Sequence, residues 1–326
     1  MSKREKIAPK NNYFTDPKTH IQFVSTGCTL LDCVLGGGFA LGRVANIVGD
    51  KSTSKTGIAT ECLINFCRDY PDGQAAYRDI EAAFDPHYAE AMGLDLNKID
   101  MGDGNPLLTV EAWHRDLEKF VDKQIKSGKP GIYVLDSLDA LSDEAEMDRD
   151  IGEASYGGSK AKKSSEMFRR LTPKIESSKV LLLVVSQVRD NIGAAFGEKH
   201  KRSGGKALDF YASQIVWLSH LGQLTKTINK VKRAYGIEVK AKCKKNKINM
   251  PFRECEFEYH FGYGIEDLLS NLNWLEDVGV MKDSKTDLTK MDDKTYRQYG
   301  HDVAEVVKKK WSEVEAGFLP SRVKYA

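Results

Sequence analysis

GDKSTSKT, residues Gly49 to Thr56, stands between the apolar run RVANIVG (Arg43 to Gly49) and an amphipathic stretch from Thr56 to about Cys67. A strand, a tight turn and a helix in that order is the setting of a phosphate-binding P-loop, written G-x-x-x-x-G-K-[ST]. Gly49, Asp50, Lys51, Ser52, Thr53 and Ser54 would curl successive backbone N–H groups around a β-phosphate, and the following helix N-terminus adds a favourable dipole. Lys55 would bridge the β- and γ-phosphates, and the Thr56 hydroxyl would ligate Mg²⁺. Ser54 departs from the pattern. Glycine belongs there because the backbone approaches the phosphate closely, so a small polar residue predicts strain with the site retained. An ordinary serine-rich turn is the plain alternative.

Working outward, AAYRDI (Ala75 to Ile80), GIYVLDS (Gly131 to Ser137) and VLLLVVSQV (Val180 to Val188) read as further buried strands separated by helical patterns. Short unbroken apolar runs of this kind predict an α/β fold with a mainly parallel sheet covered on both faces. QIVWLSHL (Gln214 to Leu221), GIEVKAKCKKNKI and FRECEFEYHF follow one another closely and predict antiparallel strands added at one edge. GIYVLDS ends in Asp136, where a P-loop enzyme holds its Mg²⁺-bound water; a turn aspartate is the alternative. AAYRDI is expected beside the P-loop strand, so Glu81 after it could activate a water as general base. A helix-starting acid would look the same.

The chain divides into a polar extension (residues 1–23), a core (24–264) and a charged, helical C-terminal region (265–326) expected to be a small α(+β) domain. Of 326 residues, 41% are hydrophobic and 29% charged, as in a globular protein. Lys and Arg (49) nearly balance Asp and Glu (47), so any DNA contact must come from local basic clusters. No apolar run is long enough to span a bilayer, and MSKREKIAPKNN has no signal-peptide core, which predicts a cytoplasmic protein. Six cysteines are scattered without C-x-x-C spacing, which predicts reduced, mostly buried thiols.

Read in order, these residues resemble the RecA recombinases of bacteria and phages, from about Val24 to Gly264. STGCTLLDCVLGGGFALGRVANIVG resembles the family's lead into its P-loop, and RDIEAAFDPHYAEAMGLD the stretch bearing its catalytic glutamate, here Glu81. Asp85 and Tyr88 match residues that hold adenine, where a ring face stacking on a base is physically reasonable. LLLVVSQVRDNIGAAFGEKHKRSGGKALDFYAS is the most specific match. Gln187 stands at the γ-phosphate-sensing glutamine, and the following stretch matches the second DNA-binding loop. That loop offers Arg189, Lys199, Lys201, Arg202 and Lys206 as cations, Gly204 and Gly205 for close approach, and Ile192 and Phe196 as wedges between bases. The segment EMDRDIGEASYGGSKAKKSSEMFRRL lies where the family has its first DNA loop, which implies phosphate contacts for Lys160, Lys162 and Lys163. KCKKNKINMPF resembles the K-x-K element that reaches a neighbour's ATP, which implies trans-acting roles for Lys245 and Lys247, as an arginine finger acts.

The resemblance implies a RecA-like P-loop ATPase core using ATP and Mg²⁺. The implied partners are single-stranded DNA, a homologous duplex, copies of the chain in a helical filament, and recombination mediator and single-strand-binding proteins. A non-hydrolysing scaffold filament and a ring-forming helicase or repair motor are the competing readings. The short N-terminal extension, the C-terminus LPSRVKYA without an acidic tail, and Ser54 are departures, and together they look more like a bacteriophage-encoded member.

Overall fold

The structure is a computed structural model that describes residues 21–148, 159–190, 200–202, 207–281, 288–322 and 324, with side chains omitted at 159, 189, 190, 200–202 and 289. In chain order its elements begin β1 (Phe23–Val24), α1 (Thr29–Leu35), β2 (Phe39–Ala40), β3 (Val44–Gly49), α2 (Lys55–Asp69), β4 (Gln74–Asp79), α3 (Pro86–Ala91) and β5 (Ile99–Asp100). They continue as α4 (Val110–Ser127), β6 (Gly131–Asp136), α5 (Glu144–Met147), α6 (Ser159–Ser178), β7 (Val180–Asp190), β8 (His200–Arg202) and α7 (Ala207–Tyr211). The remainder is β9 (Gln214–Ile228), β10 (Val231–Asn246), β11 (Glu254–His260), β12 (Gly264–Glu266), α8 (Asp267–Asp277) and α9 (Asp293–Gly317).

One large sheet runs in the order β5-β4-β6-β7-β3-β9-β10-β11-β12, with β8 paired to β7. The strands from β5 to β9 are mutually parallel, and β10, β11 and β12 are antiparallel additions. Alternation along the central strands explains their unbroken apolar runs. Ala45 and Ile47 enter a cluster with α1 and α2, while Val44 and Val48 enter a second cluster with α4 and α6. Each central strand is therefore buried twice. Asn46 is the polar exception inside β3. Its amide donates to the Val184 carbonyl (2.8 Å) and to Ser186 (3.0 Å), which ties β3 to β7.

Two sequence expectations are corrected by the sheet. AAYRDI, as β4, does not neighbour the P-loop strand β3; β6 and β7 lie between them. After α2 the chain crosses past two empty positions, and the strands ending near Asp136 and Gln187 later fill them. Strand order depends on such long-range pairing, which an apolar run does not encode. QIVWLSHL was expected to be antiparallel, yet β9 runs parallel to β3, and the antiparallel edge begins with β10. β9 also continues to Ile228, well beyond Leu221. The polar stretch joining it to β10 is a long hairpin, closed by Asn229 (φ 50°) and Lys230 (φ 65°), the two left-handed residues of a tight hairpin turn.

Residues 1–20 lie outside the described residues. In the C-terminal region, Leu268, Leu272 and Leu275 of α8 and Val303 and Val307 of α9 join the cluster built on α1 and α2. Trp274 packs on Trp311 (centroids 5.6 Å apart), and Arg253 Nε donates to Glu315 at 2.9 Å. All six cysteines are free thiols, and Cys28, Cys62, Cys243 and Cys255 are buried. Among the described residues, no helix is long and apolar enough to cross a membrane.

Candidate active site

The P-loop closes on itself at the end of β3. Thr53 is buried and donates its hydroxyl to the Asp50 carbonyl at 2.9 Å. A Cβ on Gly49 would overlap the Thr53 hydroxyl, so that glycine is sterically required. Ser54 is left-handed (φ 58°, ψ 30°) and caps α2 without a side-chain hydrogen bond, so the first-turn N–H groups stay open to an anion. Lys55 folds back and donates from Nζ to the Asp50 carbonyl at 2.6 Å. Partial burial lowers its pKa, while the facing carboxylates of Asp136, Glu81, Asp50 and Asp139 work to keep it charged.

Asp136 ends β6, buried, two strands from the P-loop. Its Oδ2 accepts from the Thr56 hydroxyl (2.6 Å) and from the Tyr77 hydroxyl (2.9 Å). Burial raises its pKa, and those two donors pull it back down. Thr56 and Asp136 together present hard oxygen donors, a set suited to Mg²⁺ that keeps several waters and shares substrate phosphates. Glu81 Oε1 accepts from Ser137, the residue after Asp136, and from Gln187 Nε2 at 2.8 Å. Gln187 lies opposite Gly49 in the β3–β7 register, and its backbone N–H donates to Asp139 at 2.5 Å. The strand β4 therefore delivers Glu81 to the phosphate edge despite lying three positions from β3.

Beside the loop is a cleft of about 310 Å³ lined by Ser54, Thr56, Asp85, Tyr88, Tyr259 and Phe261 among others. Asp85 caps α3 by accepting from the Tyr88 N–H (3.1 Å), and the Tyr88 hydroxyl donates to the Tyr259 hydroxyl (3.2 Å). Tyr88 is thus held at the cleft wall, half-buried and packed against the core on one side while it lines the cleft on the other.

The remaining expected residues lie elsewhere. Lys245 Nζ donates to the carbonyls of Asp209 (2.5 Å) and Phe210 (2.9 Å), and Lys247 Nζ to that of Phe210 (3.4 Å). Both lysines gather at the C-terminal end of α7. Near the start of α6, Lys160 bonds the Leu141 carbonyl, Lys163 pairs with Glu111, and Lys162 is exposed. Arg189 and Arg202 lie on the paired strands β7 and β8, with Arg189 opposite Lys201; their side chains are outside the described set. Ile192, Phe196, Lys199, Gly204, Gly205 and Lys206 fall outside the described residues.

Sequence reasoning missed Tyr77, Ser137, Asp139, Gly57 and Tyr259. Ser137 and Asp139 directly follow the strand that ends in Asp136, and a search for polar groups there would have found them. Gly57 carries a fainter signal, a glycine in the first turn of a helix. A Cβ on it would overlap the Tyr259 ring.

Residues 12–266 match the RecA N-terminal domain family. Protein RecA of Nostoc punctiforme is 34% identical over 264 residues, 81% of this chain and 70% of that protein. Protein RecA of Arthrospira platensis is 34% identical over 262 residues (80% and 68%), and that of Clostridioides difficile 32% over 265 residues (81% and 72%). A match of this length spans the P-loop, the strands that bring up Asp136 and Gln187, and the antiparallel edge through β12, and on that ground the chain belongs to the RecA family.

Proposed function

We propose that this chain is an ATP-dependent protein of homologous recombination and DNA repair. It assembles into a filament on single-stranded DNA and promotes pairing and strand exchange with a homologous duplex. The observation that carries the reading is the 2.8 Å hydrogen bond from Gln187 to Glu81. It joins a carboxylate suited to activating water to the strand β7, which carries Arg189 and, with Lys201 and Arg202 on β8, flanks segment 191–199.

The residues fit ATP and Mg²⁺. The open first turn of α2 and Lys55 answer the phosphates, the cleft at Tyr88 answers the base, and Thr56 with Asp136 answers the cation. The magnesium ion supplies neutralising charge on the phosphates when bound. Glu81 takes the proton of the attacking water, and Ser137 orients its carboxylate. The Gln187 amide exchanges Glu81 for the γ-phosphate, and this change of partner shifts β7 and the DNA-binding segment beyond it. Lys245 and Lys247 reach the ATP of a neighbouring subunit, so hydrolysis depends on assembly.

The test measures phosphate release with and without single-stranded DNA, and single-strand affinity with and without ATP. DNA is expected to speed hydrolysis, and ATP to tighten DNA binding; absence of both sinks the proposal. Electron micrographs should show helical filaments. Closed rings that unwind forked DNA would indicate a motor instead, and ATP-dependent filaments without phosphate release a passive scaffold.

A further inference from the structure

Pairing between β6 and β7 stops at Leu135 and Val184. β7 runs on to Gln187, whose backbone N–H then has no β6 residue to bond. A side chain takes that place. After Asp136 the chain makes one short 3₁₀ turn, Leu138–Ala140, and the buried Leu138 and Leu141 anchor it in the cluster of α4 and α6. Asp139, between these two leucines in sequence, reaches β7 instead. Its Oδ2 accepts from the Gln187 N–H at 2.5 Å.

Gln187 is therefore held twice, by Asp139 through its backbone and by Glu81 through its amide. The Asp139 hold is incompletely satisfied. Its second oxygen, Oδ1, is buried and has no hydrogen-bond partner among the described residues. The cation that the carboxylate faces is Lys55. A carboxylate bonded through one oxygen is costly to bury, so the charge of Lys55 helps to keep it there. A triphosphate claims that charge and brings negative charge of its own. The same turn also touches the other candidate DNA segment. Lys160, at the start of α6, donates to the carbonyls of Asp139 (3.4 Å) and Leu141.

We infer that Asp139 is a positioning residue for Gln187, a latch that holds the end of β7 in the arrangement in which Gln187 bonds Glu81. The inference rests on the ATP- and DNA-acting reading above and adds a regulating contact to that site. For the Gln187 amide to turn to the γ-phosphate, the end of β7 must shift, and the bond to Asp139 breaks. The latch opposes that shift until the phosphates draw Lys55 away from Asp139. Without the latch, the DNA-binding arrangement is reached with less help from ATP.

The experiment measures affinity for a single-stranded DNA oligonucleotide, with and without ATP, in wild type, Asp139→Asn and Asp139→Ala. A hydrogen bond to a charged acceptor, lost in one state only, biases a two-state equilibrium by about 10- to 100-fold. Asp139→Ala should therefore bind DNA about tenfold tighter than wild type without ATP, and within about threefold of wild type with ATP. Asp139→Asn keeps an oxygen for the Gln187 N–H at roughly half the strength, so it should fall between the two. A residue that only braces the fold would leave the ratio of the two affinities at its wild-type value, whatever stability the variants lose in urea. That result overturns the inference, and so does Asn acting as strongly as Ala. If ATP leaves wild-type DNA affinity unchanged, there is no switch to latch and the inference falls; the function proposed above then stands or falls on DNA-stimulated hydrolysis. If ATP tightens wild-type binding and the variants gain as much, only the latch falls.

Discussion

Asp136, buried at the phosphate edge, and Glu61, half-buried in the seam between α2 and β12, are both carboxylates with raised pKa values, and desolvation is the first cause in each. Their surroundings differ. Asp136 accepts from two hydroxyls, faces Lys55, and lies among Glu81, Asp139 and Ser137. Glu61 accepts from one backbone N–H, that of Ile265 at 3.0 Å, and sits between Gly27 and Gly264, where any Cβ would overlap it. Asp267 nearby adds repulsion, and its pKa too is raised by burial. Burial alone therefore does not mark a working acid. The phosphate edge surrounds its charges with groups that can change partners, whereas the seam encloses one charge with little to exchange.

The largest expected effect falls on the phosphate edge. Glu81→Gln should lower ATP hydrolysis by about 10²–10⁴-fold. Its partners Ser137 and Gln187 can still bond the amide, so ATP-dependent DNA binding should persist. A variant that hydrolyses ATP at the wild-type rate would make this edge as structural as the seam and break the comparison.

The seam should answer in stability. Glu61 is pushed up to about 7 from an ordinary 4.5. Between those values the folded chain keeps a proton that the unfolded chain has lost, so stability falls as pH rises through that window. Below pH 4.5 both states are protonated and the cost is absent; above pH 7 it is complete. Glu61→Gln keeps an acceptor for the Ile265 N–H and removes the charge. It should gain about 2 kcal/mol at pH 8, after allowance for one new buried donor, and gain nothing at pH 4. Urea denaturation at the two pH values reads this. Destabilisation at pH 8 would mean that the seam uses its charge.

Asp136→Asn sharpens the contrast at intermediate size. The amide oxygen can still accept from Thr56 and Tyr77, but the charge offered to a cation is gone. Activity should fall about 10- to 100-fold and need more Mg²⁺. Stability should not fall, since a buried charge has been removed. A loss of stability with Mg²⁺ dependence intact would move Asp136 into the seam's class.

What the amino-acid string disclosed follows the same division. Gly49 to Thr56 and Asp136 stood out because each ends an apolar run or begins a helix, so local pattern and chemistry coincide, whereas Gln187 was reached only through the resemblance to the RecA family. The position of β4 was not readable, because two later strands insert between it and β3. Tyr259 was missed because it reaches the cleft beside the P-loop from β11, far along the chain, and nothing near Tyr88 announces it. The hairpin ribbon escaped because its length rests on backbone pairing of polar residues that lack apolar alternation. Nothing beside Glu61 in the chain marks it, since its shielding comes from the close approach of Gly27 and Gly264.

Ser54 carries the smallest expected effect, and it tests whether the P-loop's one irregularity is functional or merely tolerated. A non-glycine residue in the left-handed region costs about 1–2 kcal/mol, and Ser54 sits there at φ 58°. Glycine would remove that strain but free the unfolded chain by about 0.4–1 kcal/mol. The Ser54 side chain makes no capping bond, so no contact is lost in the exchange. Ser54→Gly should therefore stabilise by about 0.5–1 kcal/mol, read as a rise of about 1–3 °C in Tm. Nucleotide affinity should stay within about threefold, because the loop already has the conformation that glycine would permit. A fall in Tm would show that the hydroxyl satisfies something at the cleft wall, and the departure at Ser54 would then be part of the site.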